Sequence, residues 1–148
     1  MVDLSRVGAV FSGTPPYAVS RAKISEFADA VGADAGLHRD PEAAIAAGYP
    51  DVVAPPTFAV LIAQRAESEY VADPASGIDF SRVVHASQSF AYTRPLVAGD
   101  VVSTTVHVDD LTVRAGITMV TTRTEIADDA GAPVATVTST LAVRGEDR

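Results

Sequence analysis

From residue 101 onward the chain is dominated by valine and threonine, alternating with polar residues over three successive runs, 101–113, 116–127 and 133–143. β-branched side chains lose rotamer freedom in a helix and fit the pleated surface of a sheet. A period of two sends successive side chains to opposite faces, so each run reads as a strand with one face for a core and one for water. Asp128-Asp129-Ala130-Gly131 supplies a turn before the last run. Another stretch rich in β-branched and aromatic residues covers 83–93. The links after the second of these four runs are short, which calls for antiparallel pairing. Such a sheet has an apolar face that a second layer must cover.

The first half supplies that layer. Ser20 is suited to cap a helix on which Ile24, Phe27, Ala28 and Val31 recur at helical spacing, and Gly32 stops it. Asp40-Pro41-Glu42 opens a short second helix through Ala47, ended by Gly48. Pro55-Pro56-Thr57 opens a third, with Phe58, Leu61, Ile62 and Ala66 as its stripe. Its beginning, 57–62, is apolar nearly all round and needs burial on several sides. Residues 73–81 contain Pro74 and Gly77 and read as a loop. The order is helices first, then a meander of long strands. The fold expected is α+β, with one apolar helix wrapped by a curved antiparallel sheet in a hot-dog arrangement. Ferredoxin-like and cystatin-like folds are the competing architectures. No repeat or Pro/Ser/Gly linker divides the sequence, so a single domain over residues 1–148 is expected.

Composition narrows the function. The net charge of −8 argues against nucleic acid, whose phosphates demand a basic surface. A small anionic ligand is still compatible, because a few arginines can form a local positive patch. The chain has no cysteine, so disulfides and thiolate metal sites are excluded. No run approaches the roughly 20 apolar residues of a membrane helix. Met1-Val2-Asp3-Leu4-Ser5-Arg6 carries an early acid and does not read as a secretory signal, so a cytoplasmic protein is expected. The acids at Asp109-Asp110 and Asp128-Asp129 lack the spacing of a metal loop, and no metal is assigned. There is no G-x-G-x-x-G, P-loop or nucleophile elbow.

Residues 31–58 read VGADAGLHRDPEAAIAAGYPDVVAPPTF. This segment resembles the MaoC-like hot-dog hydratases and dehydratases of (3R)-hydroxyacyl and 2-enoyl thioesters, whose motif is G-D-x-N-P-x-H followed by a D-P-E-x-A helix. Gly32, His38, Asp40-Pro41-Glu42 and Ala44 match it. The stretch 90–100, FAYTRPLVAGD, is similar to the family's strand and turn ending in Pro-x-x-x-Gly-Asp. Thr14-Pro15-Pro16-Tyr17, Ala54-Pro55-Pro56-Thr57-Phe58, and Arg82-Val83-Val84-His85 through Gln88 resemble one subgroup, the FAS1-like dehydratase chains of actinobacteria. The likeness extends over almost the whole chain and is nearest to the accessory, substrate-binding subunits of heterodimeric (3R)-hydroxyacyl-carrier-protein dehydratases.

The resemblance implies a reaction with definite needs. Dehydrating a 3-hydroxyacyl thioester requires a base, an acid, and donors on the thioester oxygen. In the family, His and Asp of the motif handle the proton and the water, and a helix N-terminus donates to the oxygen. Here Ala33 stands at the Asp position, Asp34 comes one residue late, and Ala35-Gly36 replaces Asn-Pro. One residue of displacement turns a side chain by about 100° if the segment is still helical. Active relatives carry His-Gly before the central helix, where Pro55-Pro56 has no N–H to offer. His38 is therefore the leading catalytic candidate, with Asp34 second. As ordinary structure, His38 would be a hydrogen-bonded histidine after a helix end and Asp34 a turn residue.

Thr57 and Phe58, at the start of the third helix, are candidate substrate-binding residues. His85 and Gln88 are further candidates for a thioester tunnel or a subunit seam. Three apart on a regular strand, they would point to opposite faces, and they could equally be polar residues meeting a neighbouring strand. Arg94 could meet a carrier phosphate or form an ordinary salt bridge. Asp100 reads as fixing a turn, and His107 as solvent-exposed.

Three functions stay open. One is a dehydratase subunit that binds the acyl chain and relies on a MaoC-like partner. Another is an independent homodimeric hydratase or dehydratase using His38 and Asp34. The third is a non-catalytic acyl-thioester binding protein. None needs a cofactor beyond the coenzyme A or acyl-carrier-protein phosphopantetheine that the substrate itself carries. A dimer is expected throughout, because joining two sheets edge to edge removes an exposed strand edge.

Overall fold

The computed structural model describes residues 1–145, and 146–148 of the expected domain lie outside the described residues. The elements run β1 (Val10–Phe11), β2 (Tyr17–Ala18), α1 (Arg21–Val31), α2 (Pro41–Ala46), α3 (Ala59–Val71), β3 (Val83–Tyr92), β4 (Val101–Arg114), β5 (Ile117–Asp128) and β6 (Pro133–Arg144). All strand pairings are antiparallel, in the order β1-β4-β5-β6-β3, with β2 also on β4. The sheet curves around α3, which is the hot-dog architecture expected from the residue pattern.

Local chemistry accounts for most boundaries. The Ser20 hydroxyl accepts the Lys23 N–H at 3.1 Å, and Gly32 closes α1 in the left-handed region at φ 70°. Asp40 caps α2 by accepting the Glu42 N–H at 2.9 Å. Ala115 and Gly116 both have positive φ, 49° and 77°, matching the twist of the β4–β5 hairpin they join. No helix among the described residues is long and apolar enough to cross a membrane.

Four expectations need correction. The first half is not purely helical, since Val10 pairs with His107 and Tyr17 with Val102. Strands of two residues carry no periodic signal, and only β4 makes them strands. The third helix begins at Ala59, after a turn in which the Phe58 N–H meets the Pro55 carbonyl at 2.9 Å. Pro56 disfavours helical geometry at Pro55, which delays the helix. His85 and Gln88 do not face opposite ways. A bulge between His85 and Ser87 shifts the register, and the two side chains meet at 2.7 Å. His107, expected in solvent, is half-buried 3.4 Å from Glu125.

The core lies between α3 and the concave face of the sheet. Phe58, Ile62 and Ala63 pack with Val102, Ile126 and Val137 at one end, and Tyr70 packs with Val108, Leu111, Val120 and Leu141 at the other. One polar row crosses this surface. Thr122 pairs with Ser139, and Ser139 with Gln88. Buried Glu67 of α3 lies over the row and accepts the Thr122 hydroxyl at 2.6 Å. Burial pushes the Glu67 carboxyl above its ordinary range, while Thr122, Ser139 and the charge of His85 act the other way.

A carboxyl raised by folding contributes stability that is full below its unfolded value, near 4.5, and lost as pH rises through its folded value. Glu67→Gln keeps the acceptor for Thr122 and removes this titration. Urea unfolding across the range from about pH 4 to 8 is expected to show the variant losing less stability with rising pH than the parent. An unchanged slope would show that Glu67 is not the source.

Candidate active site

The candidate site gathers where three loop segments are laced together. The Val53 N–H meets the Leu37 carbonyl at 2.9 Å, the Ala54 N–H meets the Leu96 carbonyl at 2.9 Å, and the Ala98 N–H meets the Val52 carbonyl at 3.0 Å. The strip 52–54 thus binds the turn carrying His38 to the loop after β3. His38 is buried, with Nδ1 2.6 Å from the Val53 carbonyl oxygen. A carbonyl only accepts, so Nδ1 carries a proton and donates it to Val53, which leaves Nε2 as the ring nitrogen not used in this bond.

His38 lies on the wall of a mostly apolar pocket of about 480 Å³, with Leu37, Tyr49, Ala54, Pro56, Tyr92 and Arg94. No Asp or Glu lies on this wall among the described residues. A second hollow of about 380 Å³ at the far end, between Met1, Leu4, Arg82, Val113 and Arg144, holds none of the candidates. It lacks the histidine and is set apart from the chemistry.

Tyr92 closes the pocket toward α3. Its hydroxyl donates to the Pro56 carbonyl at 2.5 Å, and its ring stacks on Phe90 at 6.3 Å. Burial raises the Tyr92 hydroxyl above the ordinary phenol value, and the backbone at Ala59 opposes the rise. Neither Pro55 nor Pro56 has an N–H, so the tip of α3 is met by a phenol.

The other candidates separate in space. Asp34 is exposed and off the pocket wall. The Ala33 N–H returns to the Ala28 carbonyl at 2.8 Å, so α1 has already closed and no helical turn carries Asp34 inward. Thr57 is exposed beside the pocket. Phe58 is fully buried in the core, edge-on to Phe27 at 5.4 Å, and does not line the pocket. His85 and Gln88 lie on β3 away from it.

Arg94 is on the wall, but Asp100 holds its guanidinium through bonds of 2.9 and 3.1 Å, with Asp128 at 3.7 Å. The Asp100 hydrogen bonds hold the Arg94 pKa above its ordinary value. The same Asp100 carboxylate accepts the Val97 N–H at 2.9 Å, so it fixes the turn. Tyr49 and Tyr92 were not singled out from sequence. Tyr92 stands within the matched stretch 90–100, but its partner Pro56 is 36 residues away, beyond any local spacing rule.

A buried histidine facing an apolar pocket, at the tip of a helix held in a curved sheet, defines a hot-dog domain of the dehydratase class. The chain belongs to the family described as FAS1-like, dehydratase domain region, whose model matches residues 5–137. A relative known as a UPF0336 protein, from Saccharopolyspora erythraea, is 54% identical over 97% of this chain and 92% of its own length. A solved structure of the C-terminally truncated HadBC (3R-hydroxyacyl-ACP dehydratase) complex from Mycobacterium tuberculosis is similar, with a TM-score of 0.85 and 28% identity. It covers 93% of this chain and 96% of that one. A structure described as a MaoC-like dehydratase gives a TM-score of 0.89 at 31% identity, over 97% of this chain and 43% of that chain.

Replacing Asp100 by alanine removes the acceptor for Arg94 and Val97 together. The expected loss of unfolding stability is about 1–2 kcal/mol, discounted for the partly exposed arginine. Chemical denaturation measures it, and Asp100→Asn is expected to lose less.

Proposed function

We propose that this chain is a subunit of a (3R)-hydroxyacyl-thioester dehydratase or enoyl-thioester hydratase, completed by a MaoC-like chain. The observation that carries this reading is His38, positioned as a base on an apolar pocket whose wall holds no carboxylate among the described residues. Removing the proton beside a thioester carbonyl needs the free Nε2. Expelling hydroxide as water needs an acid, and that half of the chemistry falls to the second chain. The apolar wall suits an acyl chain. The likeness to one component of the HadBC complex supports a two-chain assembly. The substrate of this reading brings its own coenzyme A or carrier-protein arm, and a cytoplasmic setting is part of the proposal.

The free edge of β3 is where the second chain would dock. A ten-residue strand paired only with β6 offers a row of N–H and C=O groups along its outer edge, and another strand answers them best. Light scattering at micromolar concentration is expected to report a dimer, and a monomer under all pairings would count against the assembly.

Steady-state hydration of crotonyl and longer enoyl-coenzyme A tests the reading. The purified chain alone is expected to be inactive, with turnover appearing on mixing with a MaoC-like subunit. Robust turnover by this chain alone, lost in His38→Ala, would overturn the proposal in favour of an independent enzyme. Binding without turnover under any pairing would leave an acyl-thioester binding protein.

A further inference from the structure

The thioester oxygen needs a hydrogen-bond donor already in place before charge develops on it. The two prolines before α3 offer no N–H, and Arg94 is committed to Asp100. Three hydroxyl side chains border the pocket, those of Tyr49, Tyr92 and Thr93. Of these, Tyr92 has its hydroxyl held in place, donating to the Pro56 carbonyl. Stacking on Phe90 holds the ring.

Resting on the acyl-thioester reading above, we propose that the Tyr92 hydroxyl is the donor to the thioester oxygen in this chain. The phenol proton turns about its C–O bond, from the Pro56 carbonyl toward the bound oxygen, without movement of the ring. Pro56 is exposed, so water can take over its carbonyl. His38 stands on the wall of the same pocket, so one ligand could meet both groups.

The test uses two probes that are not turned over, hexanoyl-coenzyme A and its thioether analogue, which lacks the carbonyl oxygen. Calorimetric titration is run on the chain as purified and, where the MaoC-like subunit is needed, on the two-chain complex. The parent is expected to prefer the thioester. Tyr92→Phe keeps the ring and is expected to reduce that preference about tenfold, the worth of one hydrogen bond, while thioether affinity holds. The carbonyl stretch of the bound thioester is expected to move to higher frequency in the same variant, as a lost donor requires.

An undiminished preference in Tyr92→Phe, or its loss in Tyr49→Phe instead, would overturn the assignment. Equal loss of both probes would overturn it too, showing that Tyr92 only shapes the pocket. A parent that binds neither probe, alone or in complex, would end the acyl-thioester reading itself and this assignment with it.

Discussion

The removal of α3 from water sets the rest of the molecule. Ile62, Ala63, Ala66 and Tyr70 lie along one helix and are almost wholly buried, and they touch both ends of the sheet's inner face. Burying a large apolar side chain contributes roughly 1.5–3 kcal/mol, so these contacts fix the helix lengthwise within the curved strands. With its axis fixed, the turn before Ala59 has a defined position. The strip 52–54 then draws the His38 loop and the loop after β3 to that point.

The same arrangement explains why the site is built from loops and still holds its shape. His38 is oriented by a backbone carbonyl, and Arg94 by a carboxylate that also serves the turn at Val97. Tyr92 is held by the carbonyl of a proline. Each side chain is placed by groups that are themselves tied into the lacing. A histidine fixed in this way has one nitrogen spent and one available, which suits it to accept a proton.

Polar residues beneath α3 depart from the apolar pattern. The row Thr122, Ser139 and Gln88 leads from Glu67 to the free edge of β3, where the bulge turns His85 onto the same side. The Gln88 side-chain nitrogen is buried there without a hydrogen-bond partner among the described residues. An unsatisfied buried donor costs free energy, and a partner strand along β3 could bring an acceptor to it.

The sequence by itself determined the elements whose signals are local. Alternating Val and Thr specified three long strands and β-branched and aromatic residues a fourth, Ser20 and Gly32 bounded α1, and the apolar stripe from Phe58 marked the central helix. The family motif was also legible, because its residues are close neighbours along the chain. Tertiary structure alone decided the pairing of β1 and β2 with β4, the shared face of His85 and Gln88, and the separation of Asp34 from His38. It also brought Tyr92 to Pro56. The reason is physical: helix periodicity, capping and strand alternation act over a few residues, whereas a bulge, a two-residue strand or a carbonyl 36 residues away gains meaning only once the core has closed.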